Sequence, residues 1–144
     1  MRKDIALDEL ARACADAMTA ADAASREAGI RLEAIGPGRA TTAMRVLPTM
    51  VNGHGICHGA YVFLVADTAF SYACNTHGDV TLAAGCDIVF AAPAGAGDAL
   101  IAEAVERSRF GRNGIYDVTV RRVDGELIAE MRGRSRTTSE KILA

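Results

Sequence analysis

GICHGAYVFLVADTAFSYACN, residues 55–75, holds one charged side chain, Asp67, in a run that otherwise reads as protein interior. From residue 59 to about 75 it is apolar nearly all round. A helix has that pattern when a sheet packs on one side and a further element on the other. An isolated ionised carboxylate at mid-helix is costly unless it is paired or hydrogen-bonded. Asp67 therefore either faces an arginine or a solvent crevice, which makes it ordinary, or it belongs to a functional cleft, where such groups are enriched.

The flanks of this helix set the architecture. Upstream, Leu7, Leu10, Ala11, Cys14, Met18 and Ala21 recur at steps of three and four, which predicts one amphipathic helix over residues 5–28 with Gly29 as its stop. IRLEAIGPGRATTAMRVLP, residues 30–48, reads as two short strands about a Gly36-Pro37-Gly38 turn. The glycine-punctuated loop TMVNGHGICHG then leads into the central helix. Beyond it, VTLAAGCDIVFAA, DALIAEAVERSRF, GIYDVTVRRV and ELIAEMRGRSRTT approach two-residue alternation, separated by PAGAG, GRN and Asp124-Gly125. Four sequential strands forming a meander are expected. The predicted fold is α+β: a curved antiparallel sheet wrapped round a long central helix, with an N-terminal helix.

A chain of 144 residues suits a single domain, 1–144, with one substantial core. Its 16 Lys+Arg against 18 Asp+Glu, with a pI near 5.9, leave no basic excess for nucleic acid or an anionic membrane. The N-terminal stretch carries acidic side chains every few positions and lacks the apolar core of a signal peptide. Nothing else is apolar enough to span a bilayer, and a cytoplasmic location is the expectation. Cys14, Cys57, Cys74 and Cys86 have scattered spacings and read as reduced, small buried hydrophobes. His54-x-x-Cys57 and Cys74-x-x-His77 look like halves of a zinc site. They flank the ends of the central helix, however, roughly 25 Å apart at about 1.5 Å per residue, so no metal is expected.

Asn52-Gly53-His54-Gly55 and His58-Gly59 place an amide, histidines and glycines directly before a helix start. Free backbone N–H groups and the positive dipole end there can hold a developing oxyanion, and glycine lets a ligand approach the backbone closely. Asp67 sits about 12 Å further along the axis and points away from His58. It is badly placed to act on a group held at its own helix start, yet it can face the helix start of a second copy. The chemistry itself thus predicts a homodimer. Taken singly, His58 reads as a hydrogen-bonded structural histidine, His54 as a loop residue and His77 as part of the helix exit. Together the residues point to acyl transfer at an electrophilic carbonyl without a metal. Cys57 is poorly placed as a nucleophile, since adjacent residues seldom orient one side chain onto the other.

N-G-H-G-x-C-H-G followed by L-x-A-D-T-A-F-x-x-A-C-N resembles the hotdog-fold thioesterases of the bacterial phenylacetate degradation pathway. The likeness covers nearly the whole chain, including the N-terminal helix and the late G-x-Y-D of Gly114 to Asp117. It implies hydrolysis of an aryl-acyl-CoA thioester, phenylacetyl-CoA or a ring-hydroxylated form, to the free acid and CoA. It further implies Asp67 as nucleophile or as general base for water, the Gly59 N–H polarising the thioester carbonyl, and His58 and Asn52 orienting the substrate and the loop. Dimers with active sites at the subunit interface, paired into tetramers, are implied as well. Family members commonly carry H-G-G where this chain has His58-Gly59-Ala60, so the added methyl bears on specificity more than on chemistry.

Thr68 and Ser71, just beyond Asp67, either hydrogen-bond water or the carboxylate or are ordinary helix hydroxyls. Arg107, Arg109 and Arg112 cluster around the FGRNG turn; Arg109 and Arg112 suit the CoA phosphates, although such a cluster is also the mark of a solvated face. No cofactor is implied, CoA being part of the substrate. Two other readings stand beside hydrolysis. One is an acyl-CoA binding protein without turnover, which gains nothing from an extra carboxylate in a pocket for an anionic ester. The other is a hotdog hydratase or dehydratase using His58 and Asp67 as an acid–base pair across a dimer.

Overall fold

The computed structural model describes residues 2–143, with the side chains of 6–143. Small apolar residues at helical spacing build α1 (Arg2–Ala21), which stops at Asp22. The Asp22 carboxylate accepts the Ser25 N–H at 3.0 Å and the Ser25 hydroxyl at 2.6 Å, capping a new short helix, α2 (Ala23–Glu27). The single helix expected over 5–28 is therefore two, because this N-cap starts a helix of its own.

β1 (Arg31–Gly36) and β2 (Arg39–Arg45) form the expected hairpin. Gly38 lies in its turn at φ 69°, and a Cβ there would stand 2.9 Å from the Glu106 side chain. The central helix, α3 (Gly59–Cys74), follows, then β3 (Asp79–Phe90), β4 (Ala99–Phe110), β5 (Asn113–Arg122) and β6 (Leu127–Lys141). All pairings are antiparallel, in the order β1-β2-β4-β5-β6-β3.

The expected four-stranded meander needs correction. Only β4, β5 and β6 are consecutive neighbours, while β3 pairs with β6 at the sheet edge. The loop 91–98 carries the chain across, so that β4 lies against β2. Two-residue alternation is a property of each strand and does not encode which strand becomes its neighbour.

The sheet wraps α3, which packs against all six strands. Val65, Ala66, Ala69 and Ala73 are fully buried. The Phe70 ring packs against Tyr116 with centroids 5.5 Å apart, and against Gly133, where a Cβ would lie 2.8 Å from it. On the other flank α1 runs antiparallel to α3: Thr19 Oγ1 is 2.7 Å from the Tyr72 hydroxyl, and Leu10 lies against Gly78. That second cover explains a helix apolar on every side. At its exit the Asn75 side chain donates to Ser71 O at 2.8 Å and Thr81 O at 2.9 Å and accepts the Thr81 N–H at 2.8 Å. These bonds fix α3, and Asp67 with it, relative to β3.

Candidate active site

The loop before α3 is held by Asn52, whose Oδ1 accepts the His54 N–H at 2.9 Å while its own N–H donates to Ile56 O at 2.8 Å. His58 is the N-cap: its Nδ1 accepts the Ala60 N–H at 3.1 Å, which places the proton of a neutral ring on Nε2. Ala60 thereby spends its donor, whereas the Gly59 N–H has no protein acceptor among the described residues. A free N–H at the positive end of a sixteen-residue helix is a ready oxyanion donor. It opens into a cleft of about 430 Å³ bounded by Asn52, Ile56, Cys57, Gly59, Phe90 and Pro93. Ala60 is exposed and does not line this cleft.

Asp67 is half-buried and makes no ion pair or hydrogen bond with a described residue; burial alone pushes its carboxyl above the ordinary range. The arginine-paired reading therefore does not describe it. The carboxylate faces a different cleft, of about 440 Å³, between α3 and the corner where α1 meets α2. Thr68 and Ser71 line the same cleft, and Thr68 Oγ1 donates to Leu64 O at 2.8 Å. Asp67 also lies near β3: burial raises the Cys86 thiol, and the charge of Asp67 raises it further.

Cys57 is buried, its thiol is pushed up by that burial, and Sγ donates to His58 O at 3.6 Å. Such a thiol is no nucleophile. The arginines lie at the opposite end of α3 from Gly59. Arg109 is ion-paired to Glu106 at 3.2 Å, and the same Glu106 oxygen accepts the Tyr116 hydroxyl at 2.8 Å and lies 2.9 Å from His77 Nε2. Arg107 pairs with Asp117 at 3.3 Å, while Arg112 is exposed in the β4–β5 turn.

In a single chain, then, the free N–H and the lone carboxylate occupy separate clefts. Two features escaped the sequence. Phe90, the last residue of β3, covers Gly59, and the α1–α2 corner walls the Asp67 cleft. The Asp22-x-x-Ser25 spacing was the available signal for that corner, since it is the pattern of an N-cap.

A six-stranded antiparallel sheet wrapped round a helix that has a free N–H at its start and an unpaired carboxylate at its middle is the hotdog fold of the thioesterases. The chain belongs to the thioesterase superfamily, whose family model matches residues 54–129, and within it to the PaaI type of acyl-CoA thioesterase. It is 40% identical to the acyl-coenzyme A thioesterase PaaI of Escherichia coli K12 over 121 residues, which is 84% of this chain and 86% of that protein. The structure of the E. coli PaaI protein from the phenylacetic acid degradation operon superposes with a TM-score of 0.92 at 37% identity, over 94% of this chain and 98% of the other. A variant of the phenylacetic acid degradation protein PaaI from Thermus thermophilus gives a TM-score of 0.76 at 32% identity, over 79% and 97%.

Proposed function

We propose that this protein hydrolyses aryl-acyl-CoA thioesters, phenylacetyl-CoA or its ring-hydroxylated forms, to the free acid and CoA, at sites shared between two subunits. The observation that carries this reading is the separation of Gly59 from Asp67 along one helix, with both beneath the same edge strand. Gly59 packs under Phe90, and the charge of Asp67 is felt at Cys86. Antiparallel pairing of β3 with a second β3, centred on Ile88, puts the partner's Phe90 opposite Cys86 and so the partner's Gly59 opposite Asp67. The edge suits such pairing. It is long, open and apolar, with Leu82, Val89 and Phe90 58%, 68% and 52% exposed.

In that arrangement the thioester oxygen receives the Gly59 N–H of one subunit, and charge developing on it is stabilised by the helix start. The His58 cap keeps the Ala60 N–H occupied and the first turn in place, while Asn52 holds the loop. Asp67 of the other subunit acts on the carbonyl carbon. As general base it takes a proton from water, the water oxygen bonds to carbon, the C–S bond breaks, and the CoA thiolate leaves with the proton. As nucleophile it displaces the thiolate to give a mixed anhydride that water then hydrolyses. Burial without a cationic partner makes Asp67 a stronger base than a solvated carboxylate, which serves the first route. The same pairing carries the partner's β4–β5 turn toward the Gly59 end, where Arg112, with Arg109 behind it, meets the nucleotide phosphates. No cofactor enters either route.

The test is release of free thiol from phenylacetyl-CoA and its ring-hydroxylated forms by wild type and by Asp67→Asn. Turnover by the wild type and its loss in a folded mutant are expected. Hydration products without free thiol would favour the hydratase reading.

A further inference from the structure

The loop 91–98 walls one side of the Gly59 cleft and meets the segment before α3 at Ala94 O, which accepts the Cys57 N–H at 2.7 Å. The ends of this loop are tied by backbone bonds, Ala91 N–H to Ile128 O at 2.8 Å and Gly97 N–H to Val46 O at 2.7 Å. Its middle has less backbone support. Pro93 has no N–H, the Ala94 N–H has no acceptor among the described residues, and Gly95 O accepts the Asp98 N–H at a longer 3.1 Å. A side chain makes up the difference. The Gly95 N–H donates to Asp98 Oδ2 at 2.7 Å, and Arg122 Nη1 donates to the same oxygen at 3.3 Å. Both partners hold the Asp98 carboxyl below the ordinary carboxylate range, the Gly95 N–H most of all. The Arg122 side chain is partly buried, and Asp124 at 3.0 Å and Glu126 grip its other nitrogens. Neither Asp98 nor Arg122 lines the cleft.

We infer that Asp98 and Arg122 are positioning residues for the reaction: through Gly95 and the bond from Cys57 to Ala94 they fix the start of α3, and with it the Gly59 N–H, without touching the substrate. The inference rests on the reading of Gly59 as the oxyanion donor. Cys57 precedes Gly59 by two residues, and His58 between them caps the helix. A shift of Ala94 O is therefore passed to the first turn through planar peptide units that have little slack. An oxyanion contact is made in full only in the transition state, so its misplacement lowers kcat and leaves KM nearly unchanged. Arg122 carries its own control. Of its three carboxylates Asp98 leads to the cleft loop, whereas Asp124 and Glu126 lie in the β5–β6 turn. Asp98→Asn separates the two bonds at the loop, because the amide oxygen still accepts the Gly95 N–H while the charge that draws Arg122 is gone.

The experiment measures kcat and KM by thiol release from phenylacetyl-CoA and its ring-hydroxylated forms, together with hydrogen exchange of the Cys57 amide, with folding checked by circular dichroism. Asp98→Ala should quicken Cys57 exchange and lower kcat about tenfold at nearly constant KM, a smaller loss than an ångström-scale misplacement brings. Asp98→Asn should regain most of that kcat. Arg122→Ala should lower kcat in the same direction, and it is read in place of Asp98→Ala should the latter not fold. Glu126→Ala removes a partner of the same guanidinium and should leave kcat at the wild-type value. In a Gly59→Val background, where the donor is already displaced, Asp98→Ala should cost less than about twofold more. A kcat that Asp98→Ala and Arg122→Ala leave unchanged, a loss carried by KM, or an equal loss in Glu126→Ala overturns the inference while hydrolysis stands. Absence of thiol release from every ester by the wild type overturns the proposed function, and the inference with it.

Discussion

Phe90 lies directly over Gly59: a Cβ at position 59 would stand 3.1 Å from the ring Cζ, tighter than ordinary van der Waals contact. The N–H proposed to polarise the carbonyl is thus presented in a gap that a methyl group at position 59 would narrow. Gly59→Ala should lower kcat/KM about tenfold, and Gly59→Val about a hundredfold, because displacement of reacting groups by an ångström costs on that order. Phe90→Ala should restore part of the Gly59→Ala loss, which a double-mutant cycle on kcat/KM measures. Strictly additive losses would show that the contact is not the cause.

Asp67→Asn should reduce turnover about a thousandfold, within the range for loss of a general base or nucleophile, yet stabilise the fold. Burial raises the folded-state pKa of Asp67 above its unfolded value. The folded state therefore binds the proton more tightly, and its stability falls as pH rises from the ordinary carboxylate value through the raised one. Melting temperatures should place Asp67→Asn above wild type at neutral pH, with the difference closing at acid pH. The acid limb of the wild-type kcat/KM profile should lie above the ordinary carboxylate range. A limb at or below that range would contradict the burial argument.

The open edge of β3 should hold the dimer together. Val89→Glu places a charge on a side chain that is 68% exposed in one chain, next to the Ile88 centre of the proposed pairing. Size-exclusion chromatography with light scattering should show a monomer, and thiol release should vanish with the dimer. An active monomer would separate the catalytic site from the edge.

Arg112→Ala should raise KM for CoA esters several-fold while sparing small thioesters without a nucleotide. Arg109→Ala should do less, because its guanidinium is engaged by Glu106 at 3.2 Å. Equal effects on both substrate types would remove Arg112 from phosphate binding.

How much was legible beforehand follows from what sequence patterns encode. Asp67 stood out because a lone charge on an all-round apolar helix is a local anomaly, and the glycines and His58 announced the helix start. Strand positions were readable from alternation, but the place of β3 beside β6 was not, because it depends on the path of the loop 91–98 and on burial along partner strands. Phe90 over Gly59 is likewise a long-range contact with no local signature. The α1–α2 break was hidden because apolar spacing continues across Asp22, and only the cap at Ser25 reveals that the backbone turns.

The proposed sharing of the site between subunits is tested most directly by mixing two impaired subunits. Asp67→Asn and Gly59→Val should each keep no more than about one per cent of wild-type activity as homodimers. Unfolded together and refolded at equal amounts, they should form mixed dimers in which one of the two sites pairs an intact Gly59 with an intact Asp67. With random pairing, thiol release from phenylacetyl-CoA should recover to about a quarter of the wild-type rate. Mixed dimers that form, by mass, and remain as inactive as their parents would contradict a site built from both chains.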